Sequence, residues 1–209
     1  MPSSQPPADE VRSVGYTPLR IFAAHLQMKV RSPENASDKE TPAAFQWNWR
    51  FATDDTIDVV FGVKLDGTKA RGEDVEVLIS GTFQLPDAPT IKLDQFVRTN
   101  AVATLYPFAR EAVSSLTSHG FFGAYLVPLI NTVSFSRRLE MRETDGFDRL
   151  LHDRVLRERV ATMLSPEMLA MLEDNDRVST ETSLTATRKP ASRKRSSSSA
   201  RKSDKSTAK

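Results

Sequence analysis

The side chains best able to carry chemistry are few and scattered in this sequence of 209 residues. His25, His119 and His152 have neither the spacing of metal ligands nor the setting of a catalytic triad. Arg110 and Glu111 are neighbours, and adjacent residues of a helix do not face each other, which favours a structural or interface role. The sequence has no cysteine and no glycine-rich phosphate loop. We therefore predict that the protein is not an enzyme and uses no metal and no cofactor.

The cations form a second group of chemically active residues, and they are concentrated near the C-terminal end. From residue 188 onward nine Lys and Arg residues accompany Asp204 alone, a net charge of +8, which leaves −6 for residues 1–187 because the whole chain carries +2. Clustered cations bind nucleic-acid phosphates through counterion release, but this segment has no aromatic residue on which bases could stack. A nucleic-acid-associated adaptor acting through this tail is the alternative function. Nucleic acid is not expected as the main partner.

The elements that must position the remaining residues begin with strands. Four segments alternate apolar and polar side chains with a period of two, which predicts strands with one buried face. Their apolar faces are Phe22, Ala24, Leu26, Met28 and Val30; Phe45, Trp47, Trp49 and Phe51; Ile57, Val59, Phe61, Val63 and Leu65; and Val75, Val77, Ile79, Gly81, Phe83 and Leu85. In the first segment Ile21 and Ala23 break the alternation. Short links such as Asp66-Gly67 suit hairpins, so an antiparallel sheet is predicted.

Beyond the strands the apolar period becomes that of helices. Residues recur at spacings of three and four, namely Leu105, Phe108, Ala109, Ala112, Val113 and Leu116. Pro107 either starts this helix or kinks a longer one that begins near Leu93. A second helix is outlined from Phe147 to Leu164. Ser165-Pro166-Glu167 then predicts the N-cap and first turn of a short third helix that ends near Glu173.

One motif in the predicted long helix is distinctive and leads into an apolar loop. The run Leu105-Tyr106-Pro107-Phe108-Ala109-Arg110-Glu111 is followed by Gly120-Phe121 and by an apolar segment that contains Pro128. This order resembles the hallmark of the SecB family, in which an aromatic-proline-aromatic-x-Arg-Glu helix precedes a glycine, a phenylalanine and a proline-bearing crossover loop. Arg20-Ile21-Phe22 and residues 77–83 are similar to the first and fourth strands of that family.

The resemblance implies an α+β fold: a four-stranded antiparallel sheet followed by a long helix, an apolar crossover loop and C-terminal helices. It implies an ATP-independent chaperone, a holdase for unfolded or non-native polypeptides, assembled as a homotetramer, a dimer of dimers. The expected client-binding residues are Phe121, Phe122, Tyr125, Leu126, Leu129 and Ile130, and the expected oligomer interface is Leu105, Phe108, Ala112, Val113 and Leu116. Two hairpins and one helix also offer a single chain little closed core, so the exposed apolar surface needs a partner.

The client and the docking partner are both left open by the sequence. SecB proteins bind preproteins for export, whereas some SecB-like proteins protect an aggregation-prone antitoxin of a toxin-antitoxin pair. Family members that dock on the SecA motor carry acidic residues on the outer face of the first strand, where this chain has His25 and Lys29, although Glu76 matches an acidic position on the fourth. In the loop, Phe122-Gly123-Ala124 stands where the family has prolines. SecA and an antitoxin are therefore both candidate partners.

Composition divides the chain into three parts. Residues 1–15 are rich in Pro and Ser without periodicity, and residues 174–209 are polar, basic and Ser-rich, so both are predicted to be disordered around one chaperone domain, residues 16–173. The N-terminus lacks a basic stretch followed by an apolar one, and the most apolar run, residues 121–130, is too short to cross a bilayer. We expect a cytoplasmic protein without a membrane span.

Overall fold

A computed structural model of the chain describes residues 15–30, 43–67, 72–120 and 122–175. The segments predicted to be disordered lie outside these ranges, except for residue 15 and residues 174–175 next to the domain. Phe121, a predicted client-binding residue, also lies outside the described residues. None of the described helices is both long and apolar enough to cross a membrane.

Four strands form one antiparallel sheet, as the alternation of apolar and polar residues predicted. They are β1 (Thr17–Val30), β2 (Ala44–Phe51), β3 (Thr56–Leu65) and β4 (Glu73–Gln84), and their spatial order is β1-β4-β3-β2. The pairs β2–β3 and β3–β4 are formed by strands that follow each other in the chain, whereas β1 pairs with the distant β4. The central strands β3 and β4 therefore carry the core, and the apolar side chains of Val59, Phe61 and Val77 are completely buried.

Strand β1 changes face part-way along its length. Its register with β4 shifts between Ala23 and His25. Directly paired residues of antiparallel strands share a face, so this shift puts Ile21 and Ala23 on the same face as Leu26, and Phe22 on the opposite face. The prediction of a single apolar face for this strand was wrong. The bulge explains why Ile21 and Ala23 broke the alternation.

One continuous helical segment follows the sheet. Helix α1 (Leu93–Gln95) leads through a π-helical stretch (Phe96–Asn100) into α2 (Ala101–Ser118). Pro107 lies inside α2 on its exposed side, so the longer of the two helices considered from the sequence is correct. The buried side of α2 packs across β3 and β4, so Tyr106 of the aromatic-proline-aromatic motif lies over the sheet, whereas Pro107 and Phe108 face outward.

Further helices follow the crossover loop, and α4 closes the end of the sheet at β2. They are α3 (Thr132–Ser136), α4 (Asp145–His152), α5 (Arg154–Val160) and α6 (166–175), with single 3-10 turns at Met141–Glu143 and Ala161–Met163. The prediction of one helix from Phe147 to Leu164 was wrong, because the backbone of Asp153 is extended. Its carboxylate accepts from the backbone N–H of Leu156 at 2.9 Å and starts a new helix. Ser165 caps α6 as predicted, accepting from the backbone N–H of Met168 at 3.1 Å.

The core is larger than two hairpins and one helix could enclose. Trp49 of β2 is 1% exposed, as expected for a core residue, and it lies under α4, where a Cβ added at Gly146 would meet its indole ring at 2.5 Å. Phe147 and Leu150 of the same helix are also buried. The expectation that one chain closes little core was therefore wrong, because the C-terminal helices supply another layer. The predicted α+β class, with a four-stranded antiparallel sheet, is confirmed.

Candidate functional site

The crossover loop, residues 122–130, displays large apolar side chains on the surface. Phe122, Leu126 and Leu129 are 48%, 65% and 80% exposed. Val127, which lies among them in sequence, is completely buried and anchors the loop in the core. Loops normally avoid this much exposed apolar area, and such a patch on a protein surface usually marks a binding site.

Two residues of α2 hold the loop by its backbone. The guanidinium of Arg110 donates through Nε to the carbonyl oxygen of Val127 at 3.1 Å. The hydroxyl of Tyr106 donates to the carbonyl oxygen of Pro128. Burial raises the pKa of the Tyr106 phenol by more than the nearby Arg110 lowers it, so the hydroxyl stays protonated and keeps its role as a donor. We call these two hydrogen bonds the loop clamp; they give Arg110 a structural role directed at the loop backbone.

The first half of the loop is shaped by a different contact and by one glycine. Thr117 Oγ1 accepts from the backbone N–H of Tyr125 at 2.7 Å. Gly123 has a φ of 72°, in the left-handed region that residues with a Cβ rarely adopt. Proline fixes φ near −65° and could not make this turn. Gly123 therefore permits a turn that proline at this position would exclude.

A groove of about 350 Å³ lies between the sheet edge at β2 and helix α3, next to the crossover loop. Its lining residues are Phe45, Ile130, Asn131, Ser134, Phe135 and Arg138. The rings of Phe45 and Phe135 meet edge to face with their centroids 5.7 Å apart. Each ring also lies 5.9 Å from the buried ring of Phe61. Aromatic packing from behind therefore fixes the two walls of the groove.

The predicted client-binding residues do not all have the same environment. Phe122, Leu126 and Leu129 are exposed, whereas Tyr125 and Ile130 are half-buried and pack against the core. Ile130 also lines the groove at β2. The structure thus brings five of the six predicted residues into one segment with an exposed apolar side, and their role in client binding stays a prediction.

The predicted interface residues on α2 fall on two sides of the helix. Leu105 and Val113 are completely buried inside the protomer, so they are core residues rather than surface residues. Phe108 is 50% exposed, and Ala112 and Leu116 are half-buried beside it. The helical spacing of three and four had grouped all five because it does not separate two neighbouring apolar stripes.

Sequence reasoning missed several residues that shape the site. Val127 was not singled out, because its burial depends on tertiary packing. Arg138 belonged to no recognised motif. Phe45 had been assigned only to the core face of its strand, without a role in a binding site. Helix α3 did have a local signal, since Asn131 is a favoured N-cap residue and its side chain accepts from the backbone N–H of Ser134 at 3.0 Å.

The comparisons with known proteins concern the central part of the chain. The family model described as preprotein translocase subunit SecB matches residues 28–140, more than half of the chain. The protein-export protein SecB of Afipia carboxidovorans is 30% identical over 82 residues, which are 37% of this chain and 51% of that protein. The chain therefore spans about half the length of the curated relative that it matches. Helices α4, α5 and α6 begin after the matched range.

Two solved structures match part of the chain at low similarity. The SecB-like chaperone Rv1957 of Mycobacterium tuberculosis, in complex with a ChAD peptide from the antitoxin HigA1, is 17% identical with a TM-score of 0.46, over 56% of this chain and 88% of that one. A protein of unknown function from Streptococcus agalactiae is 15% identical with a TM-score of 0.36, over 55% of this chain and 97% of that one.

Proposed function

The chain belongs to the SecB family, and from this membership we propose that it is an ATP-independent chaperone that holds unfolded polypeptides in the cytoplasm. Its client surface consists of the exposed side chains of the crossover loop together with the groove at β2. Burial of apolar area is non-directional, so such a surface can accept many sequences.

The observation that carries this proposal is the way in which the loop is held. Hydrogen bonds from Arg110 and Tyr106 to backbone carbonyls order the loop, while Phe122, Leu126 and Leu129 stay exposed. Because the free protein has already ordered this segment, a client does not have to supply the entropy cost of ordering it. A preorganised apolar surface of this kind suits a protein that binds segments normally found in protein cores.

Preproteins for export are the client class we favour, because the matching family model and the curated relative are both described by that role. An aggregation-prone antitoxin is the rival client. Purified preprotein and antitoxin, each diluted from denaturant, distinguish the two: preferential protection of the antitoxin would contradict the export assignment while leaving the chaperone function intact. Binding of SecA to the chaperone–preprotein complex would support export further.

We infer assembly into a homotetramer from two surfaces that the described part of the protomer leaves open. Strand β1 pairs on one side with β4 and has exposed Leu19, Leu26 and Val30 along it. Phe108 is exposed on the outer side of α2. Light scattering should give the mass of four chains, and Phe108→Asp should weaken assembly by burying an unpaired charge. A well-folded monomer at micromolar concentration would contradict this inference.

The chaperone function is tested by aggregation of unrelated denatured proteins without nucleotide. The wild-type protein should slow aggregation, and the double variant Phe122→Ser, Leu126→Ser should lose most of this protection with an unchanged circular-dichroism melt, because both side chains are exposed. The matched control is Val155→Ser on α5, which removes another exposed apolar side chain outside the loop and should retain full protection. A requirement for ATP, or equal loss in the control, would contradict the proposal.

Deleting residues 186–209 distinguishes the chaperone from the alternative adaptor. If the protein is a chaperone, the truncated protein should protect clients as well as the full chain does, because the proposed client surface lies outside the deleted residues. An adaptor acting through its basic tail would instead show no protection, and a salt-sensitive nucleic-acid mobility shift that the deletion abolishes.

A further inference from the structure

The groove at β2 has apolar walls and a positive charge at its edge. Phe45, Ile130 and Phe135 form its apolar walls, and among the described residues that line it Arg138 is the charged one. The Arg138 side chain is exposed and makes no ion pair with any described residue. Its position is set by the turn that ends α3, where its backbone N–H donates to the carbonyl of Phe135 at 2.9 Å.

A second cleft, on the other side of α3, extends the cationic character. It has a volume of about 290 Å³, and its charged lining residues are Lys92, Asp94, Arg98, Arg137 and Glu167. Three cations outnumber two acidic groups there, and one of these, Asp94, is largely buried and accepts from the backbone N–H of Ser165 at 3.0 Å. Arg137, like Arg138, is exposed. At the end of α3, neither arginine makes an ion pair with a described residue.

We propose that this groove selects client segments in which an apolar side chain is flanked by acidic residues, with the apolar group against Phe45 and Phe135 and a client carboxylate paired with Arg138. This inference rests on the proposed chaperone function and specifies its substrate class. A guanidinium offers a planar fork of donors that matches a carboxylate, and its placement beside an apolar slot lets one segment satisfy both. Apolar burial supplies the affinity, and the charge pair sets the preference between clients.

The test uses the full-length protein and three fluorescent peptides that share one apolar core and differ only in whether Glu, Gln or Lys flanks it. Anisotropy titrations should show the Glu peptide binding about two- to fivefold more tightly than the Gln peptide, the range expected of a solvent-exposed ion pair, and the Lys peptide binding most weakly. Raising the salt concentration should reduce the differences.

Variants assign this preference to one side chain. Arg138→Gln should bring the three affinities together, and Arg138→Glu should invert their order; the residue is exposed, so both should melt like the wild type. The matched control is Arg154→Glu, the same change of charge at an exposed position on α5 that does not line the groove, and it should keep the wild-type order. An equal shift in this control would overturn the proposal, because the preference would then be a long-range charge effect.

The outcomes separate the two proposals. If the peptides bind with equal affinity, or the Lys peptide binds best, while aggregation is still suppressed, the charge selection is wrong and the chaperone function stands. If no peptide binds but aggregation is suppressed, the groove is not the client site. If neither binding nor protection is found, the proposed function itself fails. Displacement of the Glu peptide by a single-stranded oligonucleotide would overturn the choice of a polypeptide as occupant.

Discussion

The crossover loop and the C-terminal helices both follow α2, and they use their hydrophobic residues in opposite ways. In α4 and α5 most large apolar side chains turn inward, so that Phe147, Leu150 and Leu156 are buried in the core. In the loop, Leu126 and Leu129 are exposed on either side of the buried Val127. Hydrophobic side chains thus form part of a closed core in one region and an open surface in the other.

The difference follows from what fixes each backbone. The C-terminal helices are fixed by burial of their side chains, with surface ion pairs between Arg159 and Asp54 at 3.5 Å and between Arg149 and the same carboxylate at 3.6 Å adding little. The loop is held chiefly by hydrogen bonds to its main chain, together with the buried side chain of Val127. A segment held by its backbone keeps its side chains free for another molecule, whereas a segment held by its side chains does not.

The largest effect should come from truncating one leucine in each region. Leu150→Ala, at a completely buried site of α4, should lower the free energy of unfolding by about 2–5 kcal/mol through the lost burial and the cavity left behind. Leu129→Ala, at an exposed site of the loop, should change it by less than about 0.5 kcal/mol and should weaken client binding instead. Urea unfolding and peptide titrations measure the two quantities, and equal destabilisation would break the comparison.

A smaller effect is expected where α4 meets β2. Gly146→Ala places a Cβ 2.5 Å from the indole of Trp49, too close without a shift of the helix, and overpacking of this kind costs about 1–3 kcal/mol. The control is Gly123→Asn in the loop, where a Cβ would meet nothing within 4 Å and asparagine tolerates the φ of 72°. Thermal melts should show a lower transition for Gly146→Ala alone; an unchanged melt would show that the helix can move away from the sheet.

The Arg110 hydrogen bond of the loop clamp should stabilise the ordered loop by about 1 kcal/mol. This is the size of one hydrogen bond that satisfies a buried carbonyl. Arg110→Met keeps most of the aliphatic length but leaves the carbonyl of Val127 without its guanidinium donor. Hydrogen exchange should then increase in residues 122–130 and remain as in the wild type in α4. Glu111→Gln, at the exposed neighbouring position, is the control. Unchanged exchange in the loop would mean that burial of Val127 is sufficient to hold it.

Replacing Tyr106 should have the smallest effect on stability at neutral pH. The effect should grow as the pH becomes alkaline. Its pKa is raised by burial, so the folded protein holds this proton more tightly than the unfolded chain does. The stability that it contributes is complete below the usual phenol pKa of 10.0 and is lost as the pH rises above it. A phenolate would face the carbonyl of Pro128 and release the loop. Urea unfolding between pH 9 and about 11 should show a steeper decline for wild type than for Tyr106→Phe, and parallel curves would contradict this role.

Much of the fold could be predicted from local patterns, because each pattern is set by neighbours in the chain. The alternation in β2, β3 and β4 and the Ser165-Pro166 cap depend on residues a few positions apart. The break at Asp153 was missed because the apolar positions on its two sides continue one helical stripe, and only its capping hydrogen bond to Leu156 reveals the new start. The register shift of β1 at Ala23 was missed because it depends on pairing with β4.

For the candidate site, the position of the crossover loop was predicted, while the role of its residues in client binding stays a prediction. The motif around Tyr106 and Arg110 placed the crossover loop correctly after α2, and Leu126 and Leu129 are exposed as a binding role requires. The groove at β2 was not predicted. Phe45 and Phe135 lie 90 positions apart in the sequence, and nothing local indicates that their rings meet.

The sequence by itself determined the class of fold, the order of its elements and the apolar character of the loop, since these follow from composition and from periods of two and of three to four. Only the tertiary structure decided which apolar residues are buried inside the protomer. Leu105 and Phe108 share one motif, yet the first is buried over the sheet and the second is exposed. The physical reason is that burial depends on which distant surface packs over a residue, and hydrophobicity alone carries no information about that surface.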